Sequence, residues 1–130
     1  MGPNDAILWE RFIDKFPDYF SSVDYDWHVG AGIQPPDSIL GTPYEEDAKD
    51  LTQKRIDVCG HKTNGSMECI EVRPHAGVSA IGAILCYHDL HQGDFENSPC
   101  TPTIVTDFAQ PDLLDIAAKH GIKIVMLGHE

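Results

Sequence analysis

Asp57, Glu71 and Arg73 are charged residues set inside apolar runs of the segment KRIDVCGHKTNGSMECIEVRPHAG, residues 54–77. Two carboxylates carried by neighbouring strands on one sheet face offer hard oxygen ligands, the kind that Mg²⁺ takes together with water and substrate phosphate. A cation so held lowers the pKa of a bound water and stabilises a leaving oxygen. Arg73 follows Glu71 at the strand period, so it projects to the same face and can orient that water or contact a phosphate. The same residues also suit an ion network in which Arg73 neutralises both carboxylates and no metal is held.

The elements that must position these side chains follow from the apolar spacing. Strand 54–60 puts Ile56 and Val58 on one face and Arg55, Asp57 and Cys59 on the other. Strand 67–73 puts Ile70 and Val72 on one face and Cys69, Glu71 and Arg73 on the other. Burying the two apolar faces together sets the register, because a one-residue slip would turn Ile and Val to water. That register sets Asp57 beside Glu71 and requires an odd-length connection. A loop of about five residues, Lys62–Ser66, or a bulge is therefore expected in place of a two-residue Asn64-Gly65 turn.

Upstream, DAILWERFIDKF (5–16) predicts a helix with Leu8, Trp9, Phe12, Ile13 and Phe16 on one face, capped by Asn4 or Asp5 and ended by Pro17. SVDYDWHV (22–29) predicts a half-buried strand, with Val23, Tyr25, Trp27 and Val29 facing one way and Asp24, Asp26 and His28 the other. Residues 30–52, rich in Gly and Pro and ending in the acidic EEDAKD, predict a long loop with one helical turn around 45–50. A loop of that length is functional or a contact surface. Downstream, residues 77–91 predict a helix apolar on most sides and so well buried, 103–107 a strand, 110–121 a helix, and 122–127 a strand of a covered sheet. The order is α-β-β-β-α-β-α-β, with no repeat and no internal boundary, so residues 1–130 form a single α/β domain.

Asp57 followed by Glu71-Val72-Arg73, with a helix and a strand before and a helix and a strand after, resembles the PD-(D/E)XK nuclease superfamily. The similarity runs from about Leu8 to Leu127 and extends to LTQKRIDV, IEVRPHAG and AIGAILCY, which resemble segments of small phage-encoded members. The resemblance implies a restriction-endonuclease-like αβββαβ core with a mixed central sheet, here followed by a C-terminal αβ unit. It implies that Asp57 and Glu71 are metal ligands for Mg²⁺, joined by a Glu of the first helix, for which Glu10 is the candidate. It also implies that Arg73 stands where a catalytic Lys usually sits, and that Ala83 lies near the place of a frequent Gln. Arg is always protonated, so it positions a phosphate without acting as a base. By its own position, Glu10 reads better as a solvated helix residue than as a ligand.

The totals weigh on what such a domain does. A formal net charge of −12 with only nine Lys plus Arg opposes tight nucleic-acid binding, because affinity for phosphate comes from cations. Two functions follow. One is a phage structural or assembly protein of the head-to-tail neck or connector type, weakly active or inactive, whose partners are other phage structural proteins or copies of itself. The other is a Mg²⁺-dependent endonuclease acting on DNA, with Asp57, Glu71 and Arg73 at the reacting phosphate. No segment reaches the roughly 18 apolar residues of a membrane helix, and MGPNDAILWERF lacks the pattern of a signal peptide. The expected setting is the host cytoplasm during assembly and the virion. The four cysteines, at 59, 69, 86 and 100, show no zinc spacing; Cys59, Cys69 and Cys86 read as small core residues, and the chain as free of disulfides in a reducing compartment, with a Cys59–Cys69 bridge the one alternative. His88 and His91 lack a third ligand at a useful spacing and read as surface residues.

Overall fold

The computed structural model describes residues 1–32 and 40–128; residues 33–39, inside the expected loop 30–52, and 129–130 lie outside the described residues. Pro at the first helical position opens α1 (Pro3–Lys15), which buries Leu8, Trp9 and Phe12 along one stripe. The chain then forms β1 (Ser22–Val29), α2 (Pro43–Thr52), β2 (Lys54–His61), β3 (Met67–Val72) and β4 (His75–Ala76). The rest comprises α3 (Val78–Asp94), β5 (Cys100–Thr106), β6 (Phe108–Ala109), α4 (Pro111–Lys119) and β7 (Lys123–Met126).

The central sheet is mixed and five-stranded, in the order β1-β2-β3-β5-β7. β1–β2 and β2–β3 are antiparallel, while β3–β5 and β5–β7 are parallel. One face packs Val58, Ile70, Val72 and Val105 under Leu8, Trp9 and Phe12 of α1. The other packs Val29, Ile56, Cys59, Cys69 and Ile104 under Ala80, Ile81 and Ile84 of α3 and Leu113 and Ala117 of α4. Helix, sheet and helix thus form three layers around two apolar seams. Beyond the ends of β3 and β5, β4 and β6 form a short parallel pair joined by the Thr106 hydroxyl, which accepts from Ala76 N–H and donates to Pro74 O.

The expected register of β2 and β3 is present: Val58 opposes Ile70, Cys59 opposes Cys69 and His61 opposes Met67. The connection is the five-residue loop Lys62–Ser66, closed by Lys62 N–H donating to Ser66 O at 2.9 Å. The face assignment differs at one point. Val23 packs on the α1 side and Tyr25 accepts a hydrogen bond from Trp9 of α1, whereas Trp27 and Val29 pack on the α3 side. In β2 the same change separates Val58, on the α1 side, from Ile56, on the α3 side. The change falls between the pairs Tyr25–Val58 and Trp27–Ile56, where Asp26 and Asp57 do not pair. Asp26 has φ 52°, in the left-handed region, and a residue there inverts the alternation that an extended strand would keep. The expectation that all four apolar residues of β1 share one face is corrected accordingly.

Three further expectations are corrected. The segment 43–52 is a ten-residue helix, not a loop with one turn. The helix after the motif is buried along one side only: Ala80, Ile81, Ile84 and His91 are covered, while Val78 and Cys86 are exposed. A disulfide joins Cys69 to Cys100, so neither a disulfide-free chain nor a Cys59–Cys69 bridge describes the structure. Cys59 is a buried free thiol.

Candidate functional site

The β2–β3 ladder runs from His61–Met67 to Val58–Ile70 and stops there. At the next position Asp57 takes over: its Oδ2 accepts the Val72 backbone N–H at 3.0 Å. Asp57 is thereby drawn toward Glu71, which is 4% exposed, near enough for each carboxyl to act on the titration of the other. Arg73 approaches Glu71 from the α3 side. Its Nε donates to Glu71 Oε1 at 2.9 Å and its Nη1 to the Ser79 hydroxyl at 3.2 Å.

Burial, followed by the Asp57 charge, pushes the Glu71 carboxyl up to about 7, against the opposing pull of Arg73. Burial also raises Asp57, offset by the Val72 N–H and the chain's N-terminal ammonium. Tyr87, on α3, is raised by burial and then by the charges of Glu71 and Asp57. Glu71, buried beside a second carboxyl, therefore keeps its proton up to near neutral pH, because a further negative charge there is poorly solvated and repelled. A divalent cation takes the place of such a proton: the donor set is two hard oxygens, and one ion neutralises both. Two oxygen-donor carboxyls suit a hard ion such as Mg²⁺, and one of the Glu71 oxygens is already taken by Arg73.

The structure thus brings together Asp57, Glu71 and Arg73 and leaves Glu10 apart. Glu10 is exposed on α1, and its carboxylate makes no hydrogen bond or ion pair among the described residues. Asp5 is the α1 acid whose charge reaches Asp57. Ala83 is half-buried and brings no polar group. Ser79 and Tyr87 join the site from α3 without any signal in the motif; their spacing of eight residues is close to two helical turns and is the one trace the sequence carries. Beside Arg73 an open cleft is lined by Asn4, Ile7, Arg11, Pro74, His75 and Asp107.

Other charged groups are committed elsewhere. Arg11 donates to Asp107 at 2.7 Å and to Gly128 O at 2.6 Å. Glu68, 3% exposed in the core, receives the Thr103 hydroxyl at 2.6 Å and lies 3.3 Å from the ammonium groups of both Lys62 and Lys123. The Lys62 ammonium is 4.3 Å and the Lys123 ammonium 4.6 Å from the centre of the Tyr19 ring. Nor are the histidines of α3 surface residues: His88 bonds Cys100 O at 2.8 Å, and His91 is fully buried.

Compared with models of protein families, with curated proteins and with solved structures, the chain matches none. No helix among the described residues is long and apolar enough to cross a membrane.

Proposed function

We propose that this chain is a phage structural or assembly component of the neck or connector type, built on a restriction-endonuclease-like fold, whose Asp57–Glu71 pair binds a divalent cation with little or no turnover. The observation that carries this reading is the inward direction of the cations. Arg11, Lys62, Arg73 and Lys123, four of the nine Lys and Arg residues, pair with the buried acids Asp107, Glu68 and Glu71. The outer surface is left more acidic than the net charge of −12 already makes it, and it repels nucleic-acid phosphate. Setting aside α2 and the short β4–β6 pair, the elements from α1 to β5 run in the order αβββαβ, in keeping with the nuclease-like scaffold. A fold of this kind serves as a frame for assembly as readily as for chemistry.

The second reading, a Mg²⁺-dependent DNA endonuclease, is favoured by the carboxyl pair and by the Arg73 guanidinium fixed beside it on Glu71 and Ser79. A bound Mg²⁺ would supply an activated water there; Arg73 would hold the phosphate.

Plasmid nicking with Mg²⁺ and Mn²⁺, run beside metal calorimetry on wild type, Asp57→Ala and Glu71→Ala, separates the readings. The expected result is metal binding by wild type only, with no nicking by any of the three. Nicking by wild type that both substitutions remove would overturn the assembly reading in favour of the enzyme. Absence of both metal binding and nicking would leave the pair as an internal ion network. Light scattering tests the assembly part: self-association into oligomers of ring size supports it, and a chain that stays monomeric and binds duplex DNA sinks it.

A further inference from the structure

A second cluster of metal-ligating side chains lies in the core on the α3 side of the sheet, two residues along β2 and β3 from the carboxyl pair. Cys59 and Cys69 face each other across β2 and β3. Their sulfurs and a ring nitrogen of His91 all lie within 4.8 Å of one another. Cys100 is bonded to Cys69 and brings a third sulfur to the same place. Exposure is 0% for Cys59, Cys69 and His91 and 7% for Cys100. We propose that Cys59, Cys69, Cys100 and His91 form a redox-gated zinc site, closed by the Cys69–Cys100 disulfide and opened by its reduction to a centre of three thiolates and one imidazole.

Three features of the cluster support this. First, Cys₃His is an established ligand set for structural zinc, with sulfur about 2.3 Å from the metal and hence sulfurs about 3.8 Å apart in a tetrahedron. The Cys59 and Cys69 sulfurs and the His91 nitrogen, within 4.8 Å of one another, need to close by about 1 Å, while the Cys69 and Cys100 sulfurs must move apart once their bond is reduced. Second, the hydrogen bonds of the imidazole fix its tautomer. Trp27 Nε1 can only donate, and it points at His91 Nδ1 at 3.2 Å, while His91 Nε2 lies 2.9 Å from Ser98 O. The proton is therefore on Nε2, held by a carbonyl, and the lone pair is on Nδ1; a zinc-bound histidine is oriented in this way by its outer partner. Third, Cys59 has no role in the disulfide form. It is a buried free thiol beside the disulfide, so reduction would leave three sulfurs together.

The chemistry balances with an external dithiol or phosphine as reductant. Two electrons and two protons split the Cys69–Cys100 bond into two thiols, and the reductant leaves as its disulfide or phosphine oxide, water supplying the oxygen in the latter case. Zn²⁺ then binds the three sulfurs with release of three thiol protons, and His91 Nδ1 exchanges its Trp27 partner for the metal. The ligands come from β2, β3, α3 and β5, so the ion would tie together the elements that the disulfide ties only in part.

Cobalt and zinc titrations of the whole chain test the site, with phosphine-reduced and oxidised protein compared. The expected result is one ion per reduced chain, a thiolate-to-cobalt charge-transfer band, a tetrahedral cobalt spectrum and a change in Trp27 emission, with none of these in oxidised protein. Cys59→Ala, checked for folding by circular dichroism, should lose the tetrahedral thiolate spectrum. Cys86→Ser and Asp57→Asn should keep it, the latter separating this centre from the carboxyl pair. Reduced wild type that gives no charge-transfer band overturns the proposal whatever the variants do. So does a folded Cys59→Ala protein with the wild-type spectrum.

Discussion

Glu71 is a carboxyl whose proton is held by its surroundings, and the sign of that effect decides how stability responds to pH. Its folded pKa of about 7 lies above the ordinary 4.5, and Asp57 moves in the same direction. Between those values the native state binds more protons than the unfolded chain, so stability falls as pH rises. Below about pH 4.5 the advantage is fully present; above about pH 7 it is lost. The drop should be on the order of 3 kcal/mol, from a shift of about 1.4 kcal/mol per pKa unit. Urea unfolding from about pH 4.5 to pH 8 should show this decline, and Glu71→Gln should flatten it and make the chain more stable than wild type at the alkaline end. Metal should act against the same proton: if the pair holds a divalent ion, Mn²⁺ affinity measured by calorimetry should rise over that pH range.

At the level of the elements, β1 and β2 exchange faces together, and two residues make the structural demand explicit. Asp26 sits at φ 52°, which a short polar side chain tolerates and a β-branched one does not. Asp26→Val should cost about 1–2 kcal/mol in urea unfolding, whereas Asp26→Gly should be close to neutral. The Phe20 ring lies directly over Gly60, so a Cβ there would stand 2.3 Å from a ring carbon. Gly60→Ala should destabilise the domain by about 1–3 kcal/mol through overpacking. Combining it with Phe20→Leu should recover part of that loss, because relief of a clash is non-additive between touching residues. The change of face also explains why the carboxyl site exists. β2 leaves its ladder with β3 after Val58, and the departing strand puts Asp57 against the Val72 N–H and not in solvent.

For the whole molecule, two long-range devices carry weight. The Cys69–Cys100 bond crosses diagonally between the parallel strands β3 and β5, where Cys69 itself opposes Pro102, and it closes a sequence separation of 31. By loop-closure entropy, its loss should lower stability by about 3–4 kcal/mol, read as a fall in thermal midpoint when reductant is added with a chelator present. Zinc in place of chelator should reverse that fall if the Cys59–His91 centre forms. The second device is charge. Three buried acids, Glu68, Glu71 and Asp107, take up four cations. A truncation that leaves one of these acids unpaired is costly, since a buried charge without its partner keeps its desolvation penalty.

Local periodicity determined a great deal of this protein. The apolar stripe of α1, the register of β2 on β3 from Val58 to His61 and the five-residue loop Lys62–Ser66 follow from residues close in sequence, whereas Asp57 reaches Glu71 by leaving that ladder. The inversion at Asp26 was not legible, because SVDYDWHV alternates without a break and only packing against two different helices decides where the strand turns over. Nor could spacing pair Cys69 with Cys100 or bury His91 between Trp27 and Ser98. Those contacts depend on how far the seventeen-residue helix α3 carries the chain before β5 begins, a long-range placement that tertiary packing alone sets.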